Sequence, residues 1–137
     1  MLWALFLLFP FGIAILAAIA IPAYQDFLVR SQVAEGMVLA DGAKTAMTVY
    51  YEGHHALPTD NASAGLAQSS SISGRYVSSV DVTGGVVTVA FDTTNSNRSI
   101  RYQTLVFLPV VSNDKISWNC SNASTVPARD LPISCRK

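Results

Sequence analysis

Met1–Tyr24 reads MLWALFLLFPFGIAILAAIAIPAY, a run with no charged residue and no Ser, Thr, Asn or Gln; Gln25 and Asp26 end it. As a helix it would be about 36 Å long, enough to cross a hydrocarbon core of ~30 Å. A soluble core helix rarely stays apolar on every face for so long. Two readings compete. A cleaved secretory signal could end at the small residues of Ala18-Ile19-Ala20, but it needs a basic n-region, and the first Lys or Arg is Arg30. A membrane span needs none, and it is the reading adopted here. The same lack of flanking Lys or Arg leaves the orientation unset by the positive-inside rule.

The rest of the composition agrees with one modest domain behind that segment. The chain has 137 residues, 50% hydrophobic and only 13% charged, with nine basic and nine acidic side chains in balance. Mean hydropathy is +0.35. These values exclude a disordered chain and remove the electrostatic footprint of a dedicated nucleic-acid binder.

Helical patterning continues past the apolar run. No proline occurs between Asp26 and Glu52, and Leu28, Gly36, Leu39, Ala43, Ala46, Met47 and Tyr50 recur at steps that share one side of a helix. Asp26, Arg30, Asp41, Lys44 and Thr48 gather opposite, and Gly53 is a stop signal. The expectation is one helix of about 50 residues, with kinks near Pro10 and Pro22. Leu28, Leu39, Ala43, Met47 and Tyr50 are expected to face the remainder of the fold, with Arg30, Asp41 and Lys44 in solvent.

Residues 53–74 (GHHALPTDNASAGLAQSSSISG) lack any period and read as a long loop. From Arg75 onward the texture is that of strands: Tyr76–Val82, Val86–Asp92, Ile100–Val111 and Lys115–Cys120. Thr83-Gly84-Gly85 and Asn113-Asp114 supply hairpin signals, and Pro109 demotes the far end of the third strand to an edge or bulge. Four closely connected strands imply an antiparallel sheet with one face covered by the amphipathic half of the helix, an α+β architecture.

Cys120 and Cys135 enclose fourteen residues at a spacing that fits no common zinc or redox motif. Behind a membrane span, the economical reading is one disulfide in an oxidising compartment, against two unrelated buried thiols. His54-His55 point apart in most backbones and have no third histidine to complete a metal site.

The stretch GIAILAAIAIPAYQDFLVRSQVAEG (Gly12–Gly36) resembles the N-terminal signature of type IVa major pilins. Trp118-Asn119-Cys120 and Leu131–Arg136 resemble the edges of that family's C-terminal disulfide-bounded region. The resemblance implies the pilin fold: a long N-terminal helix kinked at Pro22, a four-stranded antiparallel sheet, and a disulfide Cys120–Cys135. It implies a division into residues 1–25, the transmembrane and polymerisation half of the helix, and residues 26–137, a periplasmic or surface-exposed head. Gly12, Ala14, Ala17, Ala18 and Ala20 would allow close helix approach in a filament.

Residues 1–11 depart from the family pattern. Members carry a basic leader, cut to leave an N-methylated Phe, and a Glu at the fifth position. Counting back from Pro22, this chain has Met1 at the processed end and Leu5 in place of the Glu. A carboxylate in hydrocarbon is costly and needs a partner, which in the family is the amine of a neighbouring subunit. Leu5 removes both the cost and the pairing, so poor or assisted incorporation is expected.

The implied function is a structural subunit of a type IV pilus, held first in the inner membrane and assembled into a homo-oligomeric filament by the pilus machinery. Adhesion, surface motility and DNA uptake are activities such filaments support, and the surface ligand, DNA included, is left unspecified. The alternatives are a membrane-anchored accessory protein that never polymerises, and a pseudopilin of a secretion system. No nucleophile elbow, phosphate loop or His-Glu-x-x-His occurs, and no cofactor is implied. Arg129, Asp130, Arg136 and Lys137 give the last seventeen residues a net charge of +2, read as a solvated tail. The sequons at Asn61, Asn97 and Asn122 mean little in the bacterial source that the resemblance implies.

Overall fold

The computed structural model describes residues 2–120 and 122–136. One helix, α1 (Leu2–His54), is followed by strands β1 (Ser79–Thr83), β2 (Val86–Ala90), β3 (Thr104–Ser112) and β4 (Lys115–Asn119). Short 3-10 turns lie at Ser69–Ser71, Ala128–Asp130 and Ile133–Cys135. Pro10 and Pro22 both lie inside the unbroken α1 element. Helix α1 ends one residue beyond the expected stop, where His55 takes the left-handed conformation (φ 52°) and its N–H returns to the Tyr51 carbonyl.

The strands form one antiparallel sheet in the order β1-β2-β3-β4. Both hairpins turn in two residues with positive φ, Gly84-Gly85 and Asn113-Asp114, the geometry that matches strand twist. Strand β3 changes partner midway. Thr104–Phe107 pair with β2 and Leu108–Ser112 pair with β4. Pro109 therefore sits where β3 is joined to β4 alone, which is how a long strand tolerates it.

The face of α1 that meets the sheet is Val29, Val33, Gly36, Ala40, Ala43 and Met47, at steps of three and four. It packs on Val80, Val87, Val89, Phe91, Leu105 and Phe107 to form the core. The expected face is thus rotated. Ala43 and Met47 are buried as read, but Leu28, Leu39 and Tyr50 are half-buried at its margin. Gly36 is needed because a Cβ there would come within 2.6 Å of the Phe91 ring. Lys44 also departs from expectation. Its side chain is only 18% exposed, with Nζ 4.6 Å from the centre of the Phe107 ring and 2.8 Å from Asp41 Oδ1. The apolar stem covers the core margin while the ammonium keeps an aromatic face and a carboxylate.

The strands are shorter than their sequence texture suggests. Tyr76 and Val77 give their N–H groups to Glu35 Oε1 on α1, at 3.0 and 3.3 Å, instead of to a strand. Ile100 is buried as a plug beneath a turn whose bonds converge on the Asn97 carbonyl, so β3 begins only at Thr104. The 53–74 loop is tied down by Asn61. Its Nδ2 donates to the Ala67 and Val80 carbonyls, each at 3.0 Å, and its Oδ1 accepts from Val82 N–H at 2.6 Å. One buried amide thereby satisfies the Val80 carbonyl and the Val82 N–H of β1, two groups an open edge would otherwise offer to another chain.

Candidate functional site

Two surfaces carry chemistry that the core does not use: the N-terminal half of α1 and the C-terminal staple. From Leu2 to Phe27 every residue is exposed except the half-exposed Ala17. Fifteen large apolar side chains stand free there, Trp3 at 84% and Phe6 at 82% among them. Burying that many would be favourable by on the order of 20–40 kcal/mol, so the segment is built to be covered. Gly12, Ala14, Ala18 and Ala20 are exposed, with Ala17 half-exposed and Pro22 exposed on the same stretch. Gly12 lies in an apolar hollow with Leu5, Leu8, Phe9, Ile13 and Leu16. A Cβ at Gly12 would meet nothing within 4 Å, so packing within the subunit does not require a glycine there.

The staple is the disulfide Cys120–Cys135, which closes the C-terminal segment with Cα atoms 4.9 Å apart. The segment does more than trail from the sheet. Ser124 and Thr125 return beside β3, where Ser124 Oγ accepts from Val106 N–H at 2.9 Å and Thr125 Oγ1 accepts from Thr104 N–H at 2.7 Å. Ser124 Oγ also donates to the Cys120 carbonyl at 2.6 Å. The half of β3 that lacks β4 is thus covered by the stapled segment.

Asp130, in the staple, is 2% exposed. Its Oδ2 has no hydrogen-bond partner among the described residues and stands 3.8 Å from Arg129 Nε. Loss of water raises its pKa above the ordinary 3.8, aided by Asp26 and opposed by Arg129, Arg30 and Arg136. Relative to the unfolded chain, the native state therefore shifts the balance toward the protonated acid. That stabilisation is complete below pH 3.8 and is lost as pH rises through the raised native value. Asp130→Asn should accordingly stabilise the head at pH 7 by about 1 kcal/mol, with the gain shrinking below the ordinary pKa. Thermal melts of both proteins at the two pH values check this. An Asn variant less stable at pH 7 would contradict it.

The structure brings Cys120 and Cys135 together and leaves the helix residues on a bare face. His54 stacks on Tyr50, ring centres 4.0 Å apart, and its Nδ1 lies 2.9 Å from the Tyr50 carbonyl, so that ring belongs to the helix end. Met1 and Lys137, named above for the processed end and the basic tail, lie outside the described residues. Sequence reasoning missed Gln32, Glu35, Asn61 and Asp130. A polar residue recurring on an apolar helix face was the available signal for Gln32, and Thr-Asp-Asn turn chemistry for Asn61; Asp130 offered none.

One helix element joins a half bare of cover to a stapled head, which leaves a large apolar surface in need of a partner. A family model described as pilin, of the bacterial filament, matches residues 29–136, beginning at the first buried residue of α1. The chain is 44% identical over 122 residues to a type IV major pilin protein PilE of Neisseria gonorrhoeae, covering 89% of this chain and 73% of that one. It is 44% identical over 145 residues to a fimbrial protein of Neisseria meningitidis serogroup B, covering 90% and 85%. It is 42% identical over 128 residues to fimbrial protein EcpC of Eikenella corrodens, covering 90% and 81%. The chain belongs to the pilin family.

Proposed function

We propose that this protein is a structural subunit of a type IV pilus, and the observation that carries the reading is the bare apolar half of α1 joined to a pilin head. Residues 1–25 form the span and polymerisation segment, and residues 26–137 form the head. Before assembly the span rests once across the inner membrane with the head on the periplasmic side, because its apolar surface needs hydrocarbon. The assembly machinery then moves it into a filament where neighbouring helices supply the same cover. A head-to-tail contact that does not close yields an open helical fibre. Gly12, Ala14, Ala17, Ala18 and Ala20 let helices approach, and a bend at Pro22 lets the span and the head segment take different tilts.

Leu5 fits this scheme with one change. Helix packing survives, while the directional carboxylate–amine pair expected from family resemblance does not form through this side chain. Relatives named as major pilin and fimbrial proteins favour the filament subunit over an accessory protein that never polymerises. Membership of the pilin family supports a structural role, and adhesion, motility or DNA uptake would be properties of the assembled fibre.

Gly12→Phe tests the mechanism without touching the head. The bulky ring fills the hollow beside Leu8 and Phe9, so the melting temperature of the head should stay within error while filament yield drops several-fold. Unchanged filament yield, measured in sheared surface fractions, would show that Gly12 is not a packing position.

A further inference from the structure

Three arginines meet at the junction between the bare helix and the head. Arg30 stands on α1, and Arg30, Asp130, Leu131, Ile133 and Arg136 line one groove between α1 and the C-terminal segment. Arg129 joins them through its contact with Asp130. Arg136 is held in place by Nε donating to the Leu131 carbonyl at 2.9 Å and Nη2 donating to the Arg129 carbonyl at 3.0 Å. Arg30 makes no hydrogen bond or ion pair among the described residues. Two acids belong to the same neighbourhood, Asp26 on α1 and Asp130 on the segment, but the Asp130 side chain is only 3% exposed. Asp26 is exposed, so the accessible charge of the patch is three arginines against one carboxylate, a net positive balance.

Its height decides its partner. With the span ending at Gln25, Arg30 lies about 8 Å further along the helix, and the polar layer of a bilayer extends about 5–8 Å beyond the hydrocarbon. Helical side chains tilt toward the N-terminus, which directs Arg30 back toward that layer. Tyr24 and Phe27, 62% and 66% exposed, sit where interfacial aromatic residues anchor spans. Ile133, 85% exposed, adds an apolar contact on the segment.

We propose that the Arg30–Arg129–Arg136 cluster docks the phosphate of an anionic phospholipid headgroup, seating the head on the membrane before the subunit enters a filament. This rests on residues 1–25 being a membrane span. A phosphate in the bilayer surface matches the patch in both charge and height, whereas a second copy of the chain would need to bring a carboxylate to the same level.

The test uses the full chain in mixed micelles of equimolar phosphatidylcholine and phosphatidylglycerol, counting retained lipids by native mass spectrometry. Phosphatidylglycerol should be retained preferentially, and Arg30→Gln should lower that preference about fivefold. Arg30→Lys should restore most of it, and added salt should weaken it. Equal retention of both lipids, or an unaltered preference in Arg30→Gln, overturns the docking site. Unchanged lipid retention with loss of filaments assigns the surface to a second copy and overturns it as well. Flotation of the chain with vesicles after alkaline extraction keeps the underlying reading separate. A chain that does not insert defeats both the span and the docking site, while one that inserts without lipid preference defeats the docking site alone.

Discussion

Val33→Asp should unfold the head. Val33 is fully buried on the sheet-facing side of α1, in a core cluster made of apolar side chains. An unpaired charge in such a place costs about 3–5 kcal/mol, against a total stability of roughly 5–15 kcal/mol for a domain. Loss of the near-ultraviolet dichroism of the full chain in detergent at 25 °C, with helix signal from the span retained, is the expected result. Val38→Asp provides the comparison, since Val38 is 69% exposed on the same helix and should change stability by no more than about 0.5 kcal/mol. Similar losses in both variants would show that the buried face of α1 is misplaced.

Removing the staple is expected to have the next largest effect. The paired change Cys120→Ser and Cys135→Ser opens a loop whose ends are 15 residues apart, worth about 3 kcal/mol. The loss should also be local. Without the bond, Ser124 and Thr125 are no longer held against β3, so the C-terminal segment should become the first site of proteolysis. The unaltered protein with reductant should behave as the double variant does. Alkylation of two free thiols in the unreduced protein, followed by mass measurement, would contradict the bond and the oxidising compartment with it.

The elements legible in the sequence were those whose cause is local. An uncharged run of helical length, two-residue turns with Gly-Gly or Asn-Asp, and a pair of cysteines each state their geometry within a few residues. The signature around Pro22 added the family and the order of parts. Polar groups that work at a distance were not legible. Gln32 accepts from Asn97 N–H, 65 residues away, and Glu35 accepts from Tyr76 N–H, 41 residues away. Before the chain is folded, Glu35 looks like an ordinary solvated helix residue, and Gln32 shows only as a polar residue on an apolar side, with nothing to name its distant partner. The same bonds explain the strand ends, because backbone that bonds to a helix side chain is lost to the sheet. Lys44 was misread for a related reason, since its charge concealed a stem long enough to lie over Phe107. The bare helix face was readable as a place needing cover. Asp130 and its arginines became visible only once the staple folded back on α1.

Cryo-electron microscopy of filaments sheared from cells producing this chain tests the central claim most directly. The account predicts fibres whose wall is built of this protein, with residues 2–25 packed helix against helix in a core closed to solvent and the stapled heads outside. Filaments that form without this chain, while it is recovered wholly in the inner membrane, would contradict it.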